Sequence, residues 1–335
     1  MDNFTLTEIK VFYYSKAIVI SFFLIFGVLL NGTIMFTFFH NRALKSPTNL
    51  LIMAIIINNF LLAIFGIPMD IVSSFYQYWI FSDVGCRFYG FAMFFTGLNS
   101  VAIMTVIAID RFFVIAKPTM AAHITKNVIY LSICGCLVYS LIFTIPPLIG
   151  WNEYKLDKSK TSCSVNFESR DPIFYSYTIV ILVFCYIIPI IVNLYCYFYI
   201  YMTIRHISRN TKVTTDNAVE QNRKIERKLL TVAIAVFVSF FIAWTPYAVI
   251  CTWTVFGDPS VIPLIVYTTP SVWAKSTVVV YPFVFVLSNQ QFREAINELS
   301  VFKIIKEQIN RSKIFPDKRR TTPPMTELSL TEINS

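Results

Sequence analysis

Charge is what this chain is short of: 14% of its 335 residues are Asp, Glu, Lys or Arg, where a water-soluble domain carries about a quarter. A soluble globular fold is excluded at the outset. Glycine is also scarce, 9 residues against 32 Phe and 18 Tyr, which disfavours a chain of turns and short strands and points to helices packed by bulky side chains. The three histidines, His40, His123 and His206, lie at the edges of apolar blocks, and no Cys/His spacing resembles a metal site. No metal is expected. Nor is there a Gly-rich phosphate loop, a nucleophile elbow or an HExxH helix, so hydrolase and ATPase readings have no support and no enzyme is expected.

What is present is a set of apolar blocks at 17–39, 48–75, 88–109, 127–150, 172–204, 229–257 and 259–288. Each reaches the roughly 20 residues that cross a bilayer core, so the expected fold is an all-α membrane protein of seven transmembrane helices. Arg42 and Lys45, then Arg111, Lys117 and Lys126, then the cluster from Arg205 to Lys228, precede the even-numbered blocks and by the positive-inside rule face the cytoplasm. The amino terminus is then extracellular and the carboxyl terminus cytoplasmic, in a plasma membrane. The first residues, polar and acidic, lack the order of a cleavable signal and are expected to be translocated, which makes Asn3 of Asn3-Phe4-Thr5 a glycosylation acceptor. The net charge of +9 lies mainly in the inner loops and tail, and fits anionic lipid and a cytosolic partner, not nucleic acid.

Five of the seven cysteines fall inside the blocks and read as small buried apolar residues. Cys86 and Cys163 remain, both on the outer side, where a disulfide between them would fold the long outer loop over the helix mouth.

Within the blocks the only charges are Asp70 and Lys275. An ionised side chain at membrane depth costs about 2.5–3.5 kcal/mol on insertion scales, so each needs a partner or a purpose. Lys275 lies too deep to reach water along its stem, and a desolvated amine is readily neutral and nucleophilic, as condensation with an aldehyde to a Schiff base requires. The structural alternative is a plain Lys–Asp ion pair between the second and seventh helices, since Asp70 has no other cation in any block.

The segment Trp273-Ala274-Lys275-Ser276 resembles the retinal-lysine segment of animal opsins. The likeness extends to Gly27–Asn31, to Asp110-Arg111-Phe112, to Trp244-Thr245-Pro246-Tyr247, to Pro189 and Tyr197, to the Cys86 and Cys163 pair and to Asn289-Gln290-Gln291-Phe292-Arg293, all in the order of class A G-protein-coupled receptors. The pattern is departed from at Tyr281-Pro282-Phe283-Val284-Phe285, which lacks the Asn and terminal Tyr of NPxxY, at Asn59 in place of Asp, and at Leu137 in place of Trp.

That resemblance implies a light-sensing receptor binding retinal, 11-cis in the dark and all-trans after light, through a Schiff base at Lys275. Tyr89, Gly97, Phe240, Trp244 and Tyr247 would line its pocket. The Schiff base needs an anion to stay protonated. Tyr89 occupies the position used in vertebrate visual pigments and is not an anion at neutral pH, which leaves Asp70, the favoured choice, and Asp157 in the outer loop. Asp110, Arg111, Glu226, Tyr197 and Pro282 would form the cytoplasmic switch, with Arg111 held by Glu226. A short helix is implied at about 290–300, followed by a disordered tail at 301–335 open to a receptor kinase and arrestin. The expected partner is a heterotrimeric G protein. Asn289-Gln290-Gln291 is more like ciliary or cnidarian opsins than rhabdomeric ones, which leans toward Gs or Gi/t over Gq. The alternatives are a retinal photoisomerase with little signalling, for which the altered Tyr281–Phe285 segment speaks, and a receptor for a diffusible ligand.

Overall fold

The computed structural model describes residues 6–121, 123–210, 217–288 and 290–298. Asn3, Asn289 and the tail from 299 lie outside the described residues, so the glycosylation and tail expectations are not addressed there. Helix α1 spans Leu6–His40 and starts well before the first apolar block.

The second crossing is broken in two, α2 (Pro47–Phe65) and α3 (Ile67–Tyr76). Ser46 caps α2 by accepting the Asn49 amide at 3.3 Å, and Pro47 follows in the first turn, where a missing amide costs nothing. The break falls at Gly66. A Cβ there would lie 2.0 Å from the Met93 sulfur, so the close approach of the third crossing requires glycine, and Pro68 cannot donate into a continuous ladder.

Helix α4 (Asp83–Ala116) is the third crossing, and the short α5 (Pro118–Ala121) leads into α6 (Lys126–Thr144), the fourth. Between the fourth and fifth crossings β1 (Tyr154–Leu156) and β2 (Cys163–Val165) form an antiparallel hairpin with Tyr154 opposite Val165 and Leu156 opposite Cys163. The fifth crossing joins α7 (Pro172–Leu182) to α8 (Ile188–Asn210) through a π-helical turn at Val183–Ile187. Helix α9 (Asn217–Phe256) extends the sixth crossing far beyond its apolar block and contains Pro246. The seventh consists of α10 (Leu264–Lys275) and α11 (Thr277–Ser288), meeting at Ser276. It begins later than the apolar block at 259, because Asp258 caps a 3-10 turn at Pro259–Val261 and Pro263 precedes the first helical residue. The last described element is α12 (Gln290–Glu298), whose buried Phe292 packs 4.5 Å from the Phe285 ring.

Among the described residues seven helical segments are long and apolar enough to cross a membrane, and the protein is an all-α, multi-pass membrane protein. Its outward faces agree: Ile18, Leu131 and Phe198 are 65%, 74% and 63% exposed, a surface that suits lipid and not water. Inside, polar groups are paired around Asn58, whose amide donates to Thr96 O at 2.7 Å and Ser100 Oγ at 2.8 Å while its carbonyl accepts from Asn99 at 2.9 Å. These bonds tie α2 to α4 in a buried interior, where satisfied polar groups count for more than they do in water.

Candidate retinal-lysine site

Lys275 is the last residue of α10, just before the break at Ser276, and it is buried. Its Nζ lies 2.9 Å from Asp70 Oδ2 and 3.4 Å from Ser271 O. Asp70, on α3, is fully buried; Ser74 and Tyr89 donate to its two oxygens at 3.4 and 3.5 Å.

A third charge joins them. Lys16 Nζ lies 2.7 Å from Asp70 Oδ1, with both side chains buried. The expectation that Asp70 has no other cation is therefore corrected, and the reason is that α1 begins at Leu6, so that Lys16 stands one residue before the apolar block but well inside the helix. A helical stripe was the available signal: Tyr13, Lys16, Ala17 and Ile20 follow the i, i+3, i+4, i+7 pattern and all four are buried.

Asp157 sits in the loop after β1 and faces the same cavity as Lys275. Its own loop satisfies it. Oδ1 accepts from the Ser159 amide at 2.9 Å and from the Ser159 hydroxyl, and Oδ2 accepts from Ser162 Oγ at 2.8 Å. Burial pushes its carboxyl up from the ordinary value, with Lys16 and the hydrogen bonds from Ser159 and Ser162 pulling it back. The loop is held over the bundle by the Cys86–Cys163 disulfide, which joins the first turn of α4 to β2 with Cα atoms 5.5 Å apart. Two bonds from α1 fasten it as well, Tyr13 Oη to Ser159 O at 2.7 Å and Lys16 Nζ to Thr161 Oγ1 at 2.8 Å.

The cavity at Lys275 is lined at its polar end by Tyr89, Asp157, Ser162 and Ser271. It abuts a second, almost wholly apolar cavity that reaches α7, the π-helical turn at Val183–Ile187 and α9, with Phe94, Phe167, Trp244 and Tyr247 common to both. Gly97 and Phe240 line the second. The Phe240 and Trp244 rings stack at 5.7 Å, and Tyr247 meets Trp244 edge-on at 6.1 Å. A Cβ on Gly97 would come 3.0 Å from Trp244 Cη2, so the indole occupies the room that this glycine leaves. The five expected pocket residues are thus divided between two adjoining cavities, Tyr89 at the first, Gly97 and Phe240 at the second, and Trp244 and Tyr247 in the wall they share. An amine facing a carboxylate at one end and an aromatic-walled apolar space at the other fits an elongated polyene aldehyde.

At the end of α4 opposite the disulfide, Arg111 is buried and paired with its neighbour Asp110, Nη2 to Oδ2 at 2.5 Å, and also donates to Thr48 Oγ1. Tyr197, Tyr281 and Phe285 line a small cavity beside it. Pro282 lies inside α11, and the Tyr281 hydroxyl is buried with no hydrogen-bond partner among the described residues. The side chain of Glu226 lies outside the described residues.

Comparison with known proteins agrees with this architecture. The family described as 7 transmembrane receptor (rhodopsin family) matches residues 30–285. The visual pigment-like receptor peropsin of Homo sapiens is 30% identical over 279 residues, covering 83% of this chain and 81% of that protein. A Gq-coupled rhodopsin of Mizuhopecten yessoensis is 32% identical over 279 residues, and melanopsin of Mus musculus 29% over 276. Each match takes in 81% of this chain, but it spans little more than half of those longer relatives, 56% and 53%. The crystal structure of squid rhodopsin superposes with a TM-score of 0.82 at 25% identity, covering 94% of this chain and 93% of that one. With the rhodopsin-family match over most of its length and opsins among its relatives, the chain belongs to the opsins, within the G-protein-coupled receptors of the rhodopsin family.

Proposed function

We propose that the protein is a light-activated receptor in which Lys275 holds retinal covalently and Asp70 is the anion beside the attachment point. The observation that carries this reading is the buried Lys275 amine, 2.9 Å from Asp70 and opening onto the aromatic chamber. Condensation of that amine with the aldehyde of retinal, with loss of water, supplies a Schiff base whose positive charge Asp70 would balance. Tyr89 stands beside Asp70 as a neutral donor, and Trp244 and Tyr247 bound the space along which the polyene would lie. Trp244 stacks on Phe240 two residues before Pro246 in α9, so a change of shape in the chamber would be transmitted to the long sixth helix and opened toward a heterotrimeric G protein.

Gs or Gi/t is proposed over Gq on the Asn289-Gln290-Gln291 segment. The amino terminus is placed outside and the tail inside, where a receptor kinase and arrestin would act, on the distribution of basic residues. Reconstitution of the membrane protein with 11-cis-retinal tests the reading. The expected result is a visible pigment that borohydride fixes to the chain and that Lys275→Ala abolishes, together with light-dependent nucleotide exchange on a G protein. A wild-type chain that never takes up retinal refutes it.

A second reading, a retinal photoisomerase with little signalling, is favoured by one feature: the Tyr281–Phe285 segment leaves the Tyr281 hydroxyl without a partner among the described residues where a receptor switch would be polar and connected. A stable pigment that activates no G protein selects it.

A further inference from the structure

Lys16 has no task in that reading, yet its position is costly. A buried ammonium loses its hydration and is retained only where a partner or a purpose offsets that loss. If it served only to fasten the outer loop to α1, a neutral donor would do, and Tyr13 already does so through Ser159.

The division of Asp70 is the informative detail. Lys16 takes Oδ1 at 2.7 Å and Lys275 takes Oδ2 at 2.9 Å, one cation on each oxygen. Charged and titratable groups reach Asp70 from every side: Lys16 from α1, Tyr89 from α4, Lys275 from α10 and Asp157 from the loop. Asp157 is in turn within the electrostatic reach of Tyr13, Tyr247 and Tyr267. Two ammonium groups therefore share one carboxylate, and the second carboxylate lies farther off with its oxygens engaged by serines.

We infer, resting on the reading of Lys275 as the retinal lysine, that Lys16 is a positioning and tuning residue: it pins one oxygen of Asp70 and draws off part of the charge that Asp70 offers to Lys275. A weaker anion leaves the positive charge of a Schiff base less localised, which lengthens its absorption wavelength, and stabilises its protonated form less. A cation near the attachment point acts in the same direction by repulsion.

The test is a substitution series at Lys16 in the full chain, reconstituted with 11-cis-retinal and titrated from acid to alkali. Lys16→Gln keeps a donor for Thr161 but removes the charge, Lys16→Met removes both, and Lys16→Arg keeps the charge. Gln and Met should shift the visible band to shorter wavelength and raise the pH midpoint of its conversion to the ultraviolet by about one unit or more, a tenfold change in proton affinity. Arg should stay near wild type. In the retinal-free protein, Met should also speed hydrogen exchange at loop amides 157–162, while Gln should not.

If Met fails to fold, Gln alone decides. The inference is overturned if Gln leaves both band and midpoint at their wild-type values, whether or not Met shifts them, because Lys16 would then be only an anchor. A midpoint that falls overturns it equally. A wild-type chain that forms no pigment is a separate result, which removes the retinal-lysine reading itself.

Discussion

Asp70 and Lys275 meet at 2.9 Å, both buried, whereas Asp157, the other acid over the chamber, has both oxygens engaged by Ser159 and Ser162. Asp70→Asn should therefore move the absorption of the reconstituted pigment at neutral pH from the visible to the ultraviolet, with the visible band returning on acidification or on adding a small permeable anion. The same change leaves Lys16 and Lys275 without their shared anion and should lower stability by about 3–5 kcal/mol. Asp157→Asn should shift the spectrum only modestly. The reverse pattern, ultraviolet for Asp157→Asn and visible for Asp70→Asn, assigns the role to the loop acid.

Gly90 on α4 faces Tyr154 of β1 so closely that a Cβ would lie 2.7 Å from its ring, and Tyr154 is fixed by its bond to Thr144 O at 2.8 Å. Gly90→Val should cost about 1–3 kcal/mol through this overpacking, read as a drop in thermal midpoint in detergent. A variant as stable as wild type would show that the hairpin yields freely.

The seven crossings and Lys275 were legible because hydropathy and isolated charge are one-dimensional signals, present in the order of residues alone. The Cys86–Cys163 pairing was legible because both residues fall outside the apolar blocks and on what the order of the blocks makes the same side of the membrane. Lys16 was not. It precedes the first apolar block by one position, and its role depends on α1 continuing to Leu6 and on which helices then stand beside it, a matter of tertiary packing. The division of the second crossing at Gly66 escaped for a similar cause, since the reason for the glycine is the Met93 side chain of another helix. The expected Arg111–Glu226 lock remains an expectation, while the partners described for Arg111 are Asp110 and Thr48.

The disulfide closes a loop of 77 residues between α4 and β2. By the chain-entropy relation a loop of that length contributes about 4.5 kcal/mol, realised only in part where the unlinked chain is already confined by a membrane. Cys163→Ala should lower thermal stability by a measurable part of that amount and quicken loss of the chromophore in the dark. Equal dark lifetimes would show that the α1 bonds alone keep the loop in place.

Asp157 also predicts a pH dependence. Burial raises its carboxyl above the ordinary 3.8, so the folded loop holds a proton more readily than the unfolded chain does. The stability this contributes is fully present below the ordinary value and is lost as pH rises through the higher folded one. Thermal midpoints of the retinal-free protein should accordingly decline over that interval, and Asp157→Asn should flatten the decline; an unchanged slope in the variant removes Asp157 as its source.

The Lys16–Asp70 pair has a consequence in time as well as in space. Among the seven described crossings, Lys16 and Asp70 belong to the first and second in chain order and Lys275 to the seventh. A lone carboxylate in the second crossing would wait in the translocon for some two hundred residues of further synthesis before its partner arrived. In the folded protein the cation nearest to Asp70 is Lys16 at 2.7 Å, 54 residues away in the sequence and supplied by the neighbouring crossing, so Lys275 is the later of its two partners to be made.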